Sequence, residues 1–250
     1  MNIEKKVKKL QNGVNWSSAT DIGPVRKENE DSYAVIEPLT FVIADGMGGY
    51  AAGEVASGIL TNTAEEMLSG AMNVTELSLK QVISQANKKV IEETVRNPER
   101  QGMGTTATLC HISGKEVFWA HVGDSKLYLL HDNKLRQITK DHTYANLLIE
   151  RGEATPEEAA ENTSGKMLTR AVGVEDAVFA DAGCFEVEKG DMLILCTDGL
   201  SGKLSEDNIA DILMGTSVPD ERAGSLVRAA LNQGTRDNVT VIVVEITENC

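Results

Sequence analysis

The chain has 250 residues, with 24 basic and 38 acidic side chains, and 41% of its residues are hydrophobic. This composition is typical of a globular protein with a sizeable core rather than of a disordered or fibrous chain. The formal net charge of −14 argues against nucleic-acid and anionic-membrane partners, which are bound mostly through Lys and Arg. No run approaches the roughly 20 apolar residues of a membrane-spanning helix, so no membrane partner is expected.

No linker, low-complexity tract or long repeat divides the sequence, so we expect a single domain over residues 1–250. Residues 1–15 are basic at their start and are expected to form a loose leader. That leader has no apolar segment after its charges, which argues against a secretory signal. The four cysteines form no CxxC pair, and Cys110 and Cys196 lie in apolar runs, so we expect reduced, buried thiols and a cytoplasmic protein.

Short apolar runs that end in Gly or Asp predict six strands. They cover residues 41–46, 105–112, 116–124, 126–132, 191–199 and 238–246. The fourth run ends at Asp132-Asn133, a pair that favours a hairpin turn. Several runs are apolar on both faces, so we expect their sheets to be covered on both sides.

Apolar residues at helical spacing predict helices around residues 79–90 and 223–231. Ser205 is a predicted helix N-cap, and the TPEE segment at 155–158 has the pattern of a capping box. Consecutive strands between residues 105 and 138 have no helix between them. The predicted fold class is therefore α+β, a four-layer α-β-β-α sandwich with two central, mostly antiparallel sheets flanked by helices.

Four aspartates lie at the ends of the predicted strands: Asp45, Asp124 and Asp198 near C-terminal ends, and Asp237 just before the last strand. Any one of them is explained well by an Asp-Gly or Asp-Asn turn. Four together point to carboxylates that converge at one edge and repel each other unless a cation neutralises them. Oxygen ligands select Mg²⁺ or Mn²⁺, and the four histidines show no zinc-binding spacing.

Arg26 lies in the segment TDIGPVRKENEDSY, just before Glu30 and Asp31. A surface arginine paired with a nearby carboxylate explains this placement. A guanidinium that binds a phosphate dianion, held near the cations by its acidic neighbours, explains it equally well.

Taken together, these segments resemble the metal-dependent phosphatases of the protein phosphatase 2C (PPM) family, and among them the bacterial serine/threonine protein phosphatases. The resemblance runs in order through nearly the whole chain. It rests on TDIGPVRKENEDSY, FVIADGMGGYAAGEVAS, GMGTTAT, VGDSKLYLL, ITKDHT, LTRAVG, DMLILCTDGLS and TRDNVTVIVV. The family fold is a pair of antiparallel sheets flanked by helices.

The resemblance implies a set of metal ligands. Asp45 matches the carboxylate that bridges two metals, and Gly46 matches the residue whose carbonyl binds one of them. Asp198 and Asp237 match the other direct ligands. Asp124 matches the position that shares a third, weaker metal with Asp198. The implied cofactors are two tightly bound Mn²⁺ or Mg²⁺ ions and a third, weaker one.

Other roles are implied in the same way. Arg26 matches the arginine that binds the phosphate, and Glu30 and Asp31 match the acidic pair that orients metal-bound water. Residues 143–168 correspond to the mobile flap beside the active site. Hydrolysis would proceed by in-line attack of a metal-bridging water on phosphoserine or phosphothreonine. The implied partners are phosphoprotein substrates and a serine/threonine kinase whose action the enzyme reverses, and we expect a monomer.

Three departures from the family pattern bear on substrate handling. Met47 stands where many relatives carry a histidine proposed as the general acid, which leaves open what protonates the leaving oxygen. Lys126 replaces an arginine at a position expected to be structural. The sequence NTSGK at 162–166 replaces the commoner HPxxN, which affects flap geometry and substrate preference rather than the chemistry.

Two other classes of function remain as alternatives. A phosphoprotein-binding module without activity would be expected to lose metal ligands, yet all those identified are present. A metal-dependent nuclease is disfavoured by the net charge of −14.

Overall fold

The computed structural model describes residues 3–11, 13–48, 52–71 and 73–248, and all of its ordered strands pair antiparallel. The strands are β1 (Glu4–Gln11), β2 (Val14–Asp21), β3 (Asp31–Ile36), β4 (Thr40–Met47), β5 (Gly104–Thr105), β6 (Ala107–Ser113), β7 (Glu116–Val122), β8 (Lys126–His131), β9 (Lys134–Gln137), β10 (Asp181–Glu186), β11 (Met192–Cys196) and β12 (Val239–Ile246). The helices are α1 (Gly53–Leu68), α2 (Glu76–Arg96), α3 (Tyr144–Glu150), α4 (Pro156–Glu161), α5 (Asp198–Ser201), α6 (Glu206–Gly215) and α7 (Arg222–Asn232).

The strands form two sheets. The first sheet has the order β1-β2-β12-β11-β8-β9, and the second has the order β10-β7-β6-β4-β3, with β5 paired to the end of β4. Side chains from both sheets meet in one buried core that includes Phe41 and Ile43 from the second sheet and Leu127, Leu195 and Ile242 from the first. The two sheets therefore pack face to face.

Helices cover the outer face of each sheet. On the second sheet, Val42 and Ala44 of β4 are buried with side chains of α1 and α2, while Phe41 and Ile43 enter the core between the sheets. This period-two alternation explains why β4 is apolar on both faces. Side chains of α6 and α7 are buried against the first sheet in the same way. The arrangement confirms the predicted α-β-β-α sandwich.

Several local predictions are confirmed. The side chain of Ser205 accepts a hydrogen bond from the Asn208 amide at the start of α6. Thr155 and Glu158 form the capping box of α4. Asp132 and Asn133 both have positive φ, at 49° and 60°, as the tight turn between β8 and β9 requires.

The leader differs from its prediction. Glu4–Gln11 forms strand β1, which pairs with β2 at the edge of the first sheet, so this part of residues 1–15 is ordered rather than loose. Charged residues such as Lys5 and Lys6 suit an edge strand, where lysines discourage further pairing. Residues 1, 2 and 12 lie outside the described residues.

Candidate active site

The sequence-predicted carboxylates come together at one end of the strands of the two packed sheets. Asp31 at the start of β3 lies directly opposite Asp45 in β4. Asp198 follows β11 and begins α5, and Asp237 lies two residues before β12. The charges of Asp31, Asp198, Asp124 and Asp237 all act on Asp45, which places the five carboxylates in one electrostatic cluster.

Burial and mutual repulsion oppose ionisation of this cluster. Burial, and then the charges of Asp31 and Asp198, raise the pKa of Asp45 well above its usual range. Burial raises the pKa of Asp31 to about 7, despite two hydroxyl donors, and raises that of Asp124 to about 7. The pKa of Asp198 is also raised, first by burial and next by Asp237. A cation would relieve the same repulsion that protons relieve here.

The donor chemistry fits a hard divalent cation. All of the clustered side chains offer oxygen, which suits Mg²⁺ and Mn²⁺. Among the described residues, Oδ1 of Asp31 is buried with no hydrogen-bond partner. No three His, Cys, Asp or Glu side chains in the described ranges are arranged as a ready metal-binding group. The carboxylates are therefore neighbours whose charges interact, without being arranged as a complete set of metal ligands in this structure.

Glu30 and Asp31 are fixed by different means. Both Thr197 Oγ1 and Thr240 Oγ1 donate to Oδ2 of Asp31, at 2.9 and 2.7 Å. The backbone amide of Glu30 donates to the side chain of Asn238 at 2.9 Å. These contacts tie the beginning of β3 to the ends of β11 and β12 in the first sheet, where Asp198 and Asp237 lie.

Gly46 cannot be replaced by a larger residue without backbone movement. A Cβ at this position would lie 2.2 Å from the carbonyl oxygen of Gly53 and 2.6 Å from that of Glu30. The amide of Gly46 donates to the same Glu30 carbonyl at 3.1 Å. This close approach brings the backbone after Asp45 against the N-terminus of α1.

Arg26 reaches the cluster. Its Nη2 donates to Oδ2 of Asp237 at 2.8 Å, and its Nη1 lies 3.7 Å from Oε2 of Glu30. The side chain is 46% exposed, so part of the guanidinium faces solvent at the edge of the acidic cluster. Arg26 thus forms the predicted ion pair with a nearby carboxylate, and it also lies where a phosphate held by the cluster could contact it.

Asp124 lies near Asp198 in a cleft beside the carboxylate cluster. The two aspartates line a cleft of about 360 Å³ together with Lys166, whose Nζ is 3.9 Å from Oδ2 of Asp198. Lys166 belongs to the NTSGK segment, so the departure from the family pattern faces the carboxylate cluster. Lys126 pairs with Asp141, which agrees with the structural role predicted for it.

The residues that support the site, rather than form it, were not predicted from the sequence. Asp31 is held by Thr197 and Thr240, and Glu30 is held by Asn238. Thr106 Oγ1 accepts a hydrogen bond from the backbone amide of Asp45 at 2.8 Å. A threonine inside an otherwise apolar strand, as in NVTVIVV, is the sequence feature that could have indicated these supporting residues. Among the histidines, His111 and His121 are buried and bond threonine hydroxyls, as core residues do.

Comparison with known proteins agrees with this architecture. Residues 27–233 match the sequence model of the family described as protein phosphatase 2C. The serine/threonine phosphatase Stp of Listeria welshimeri is 36% identical over 240 residues, which cover 90% of this chain and 93% of the relative. The crystal structure of the Mycobacterium tuberculosis serine/threonine phosphatase PstP/Ppp superposes with a TM-score of 0.87 at 34% identity, covering 94% of this chain and 99% of that one.

A second solved structure bears on the metal. The catalytic domain of PstP in complex with two manganese ions has a TM-score of 0.84 to this chain at 33% identity, with 94% and 99% of the two chains covered. The fold and these matches define a phosphatase built as an α-β-β-α sandwich. The chain belongs to the protein phosphatase 2C family, which confirms the resemblance seen in the sequence.

Proposed function

We propose that this enzyme is a metal-dependent phosphatase that hydrolyses phosphoserine and phosphothreonine on proteins, reversing the action of a serine/threonine kinase. The observation that carries the proposal is the meeting of Asp31, Asp45, Asp198 and Asp237 beside Arg26. Carboxylates whose negative charges lie close together suit cations, and a guanidinium at their edge suits a phosphate. The manganese-containing PstP structure supports the same assignment.

The proposed ligands of two tightly held ions are Asp45, Asp198, Asp237 and the carbonyl of Gly46. Asp124 would share a third, weaker ion with Asp198, whose charge acts on it across the cleft. When bound, the ions supply Lewis acidity that makes a water molecule a nucleophile near neutral pH and offsets charge on the phosphoryl group. Both Mn²⁺ and Mg²⁺ suit the oxygen donors.

The residues of the chain bind and orient the reactants. Arg26 turns from Asp237 toward the phosphate, and its planar donors bind two phosphate oxygens. Asp31, fixed by Thr197 and Thr240, keeps one carboxylate oxygen free to accept a hydrogen bond from the attacking water. Glu30 orients the water from the neighbouring position and keeps Arg26 near the cluster.

The leaving oxygen needs a proton from a group other than Met47. The methionine side chain has no titratable proton, and it lies two residues after Asp45 in β4. Asp124 and Asp198 line a cleft beside the cluster, and we propose that solvent reaches the leaving group through it. We assign to Asp124 the role of holding positive charge there.

The two alternative functions have less support. A binding module without activity does not require the costly collection of clustered carboxylates found here. The net charge of −14 disfavours nuclease action on a polyanion. No helix in the described part of the chain is long and apolar enough to cross a bilayer.

Our proposal also includes the partners and the location of the enzyme. We propose that it acts as a monomer on phosphoprotein substrates in the cytoplasm and opposes a cognate kinase.

One assay separates these functions. Phosphate release from a phosphothreonine peptide is measured with Mn²⁺, with chelator, and beside a DNA cleavage assay. We expect release that depends on Mn²⁺ and no DNA cleavage. Asp45→Asn and Asp198→Asn should each abolish turnover in a folded protein, whereas Asp211→Asn on the exposed side of α6 should not. Activity of either site variant above about a tenth of wild type would contradict the ligand assignment.

A further inference from the structure

A largely apolar groove adjoins the carboxylate cluster. It has a volume of about 370 Å³, and seven of its ten lining residues are apolar. Met47 at the end of β4 forms one wall, and the segment 168–179 forms the others. Because Met47 follows Asp45 by two residues on the same strand, its Cα lies roughly 7 Å from that of Asp45, a proposed metal ligand.

The rim of the groove exposes large apolar side chains. Phe179 is 74% exposed and Val174 is 57% exposed, although both belong to an ordered part of the chain. Exposed apolar side chains scattered singly need no explanation, but two that flank one groove next to an active site suggest a binding surface. Aromatic residues in such positions contribute strongly to recognition.

The segment that carries these side chains is held in place from below. Oδ1 of the buried Asn87 in α2 accepts a hydrogen bond from the backbone amide of Gly173 at 2.6 Å. Nδ2 of the same side chain donates to the backbone carbonyl of Glu175 at 2.9 Å. Gly173 has a φ of 92°, and a Cβ there would lie 2.2 Å from Val90. The backbone of Val172 is paired with that of Thr105 in both directions. The groove is therefore preformed, which lowers the entropy cost of binding.

The other end of the segment is fixed by charge. Arg170 donates to Oδ1 of Asp181 at 2.7 Å and reaches the carbonyl of Phe179 at 3.5 Å. Since Arg170 is paired with Asp181, it does not make the groove cationic. Glu175 at the groove wall is the acidic group that an incoming side chain meets. The chemistry thus favours an apolar side chain and disfavours an acidic one.

From these contacts we propose that the groove between Met47 and Phe179 binds a large apolar side chain of the substrate protein, two or three residues from its phosphorylated residue. The distance follows from reach, because an extended peptide advances about 3.3–3.6 Å per residue. The enzyme therefore selects phosphoproteins by an apolar residue near the phosphosite. This inference rests on the proposed phosphatase function and names its substrate preference.

The test uses a set of phosphothreonine peptides with one leucine moved through the four positions on each side, in a serine and glycine background. For each protein, kcat/KM of each leucine peptide is divided by that of the all-background peptide. We expect a ratio of about 5–20 at one or two positions that lie two or three residues from the phosphothreonine. The increase in kcat/KM should come from a lower KM, because leucine is partly buried in the groove. Aspartate at those positions should give a ratio below one.

Phe179→Ser should reduce the leucine ratio to about 1–3. Met214→Ser is the matched control, because Met214 is also an exposed apolar residue but lies on α6, which covers the other sheet. Its leucine ratio should equal that of the wild type. Leucine ratios near one at every position, or a wild-type ratio retained in Phe179→Ser, would overturn the proposed groove.

Binding separates failure of this inference from failure of the proposed function. If no phosphopeptide is hydrolysed, the phosphatase proposal fails, and fluorescence anisotropy with the same labelled peptides then decides the role of the groove. Leucine peptides that bind about 5–20-fold more tightly than the background peptide, with the difference lost in Phe179→Ser, would support the groove. Equal affinities would overturn it.

Discussion

Asp31 and Asp45 lie directly opposite each other in the antiparallel pairing of β3 with β4. Like charges in facing positions destabilise a sheet, and burial adds to the cost. The pKa of both carboxyl groups is raised, first by burial and then, for Asp45, by the charge of Asp31. The fold therefore keeps this pair at a cost in stability, which a bound cation would offset.

The metal-free protein should lose stability as pH rises through the range in which these groups ionise. The folded pKa values of Asp31 and Asp124 are about 7, above the value of about 3.9 for an unfolded aspartate. The folded state then binds more protons than the unfolded state between these values, so their contribution to stability is complete below about pH 4 and is lost by about pH 7. Urea unfolding in chelator across this range measures it.

Asp45→Asn isolates the contribution of the cluster from that of other groups. The variant should gain free energy of unfolding relative to the wild type, and the gain should grow from pH 4 to pH 8 in chelator. Saturating Mn²⁺ should reverse the order, because only the wild type regains cation binding. A difference independent of pH would show that Asp45 does not contribute to the electrostatic cost.

Thr240→Val should destabilise the protein by about 1–3 kcal/mol, because it removes a donor from a buried carboxylate. The Thr240 hydroxyl lies 2.7 Å from Oδ2 of Asp31, and valine keeps the shape of the side chain. Thr94→Val is the control, since its hydroxyl bonds only a helical carbonyl, that of Ile91. Equal losses in urea unfolding would mean that the bond to Asp31 has no special weight.

Arg26→Ala should lower kcat/KM for phosphopeptides by about 30- to 150-fold, or about 2–3 kcal/mol, through loss of a bidentate phosphate contact. Mn²⁺ affinity should hold or rise, because Asp237 is released from its ion pair with Arg26. Arg96→Ala on α2 is a control with an exposed ion pair. Weaker Mn²⁺ binding with unchanged kcat/KM of the metal-loaded enzyme would make Arg26 a structural partner only.

Asp124→Ala should retain two tightly bound Mn²⁺ ions per chain and lose most hydrolysis of phosphopeptides. The loss should be smaller with p-nitrophenyl phosphate, whose leaving group needs little protonation. Calorimetric Mn²⁺ titration and assays of both substrates measure the two effects. Equal losses on both substrates, or loss of a tight site, would show that Asp124 supports the central pair of ions instead.

The sequence was most informative about the middle of the sheets. Runs such as DMLILCTDG and NVTVIVVEI are apolar on both faces because β11 and β12 lie at the centre of the first sheet between two cores. Edge strands carry a weaker signal, and Asp181–Glu186 has no fully buried residue. The edge strands Glu4–Gln11, Asp31–Ile36 and Asp181–Glu186 were not predicted, and the interior strand Val14–Asp21 was also missed, because Asn, Ser and Thr interrupt its apolar pattern.

The candidate site was predicted from its charged residues, while its supports were not. Asp45, Asp198 and Asp237 stand out because a carboxylate lies at or beside the end of an apolar strand. Thr197 and Thr240 give little signal, because threonine is common in strands for its shape alone. Their importance depends on the contact of the first sheet with Asp31 in the second, which local sequence does not specify.

Anomalous diffraction at the manganese edge from crystals soaked in Mn²⁺ locates the bound ions directly. We predict two strong peaks per chain at coordination distance, about 2.0–2.3 Å, from carboxylate oxygens of Asp45, Asp198 and Asp237. Asp45 should contact both ions, and the carbonyl of Gly46 should contact one of them. Peaks absent from these residues at saturating Mn²⁺, or found only on other surface carboxylates, would contradict the account.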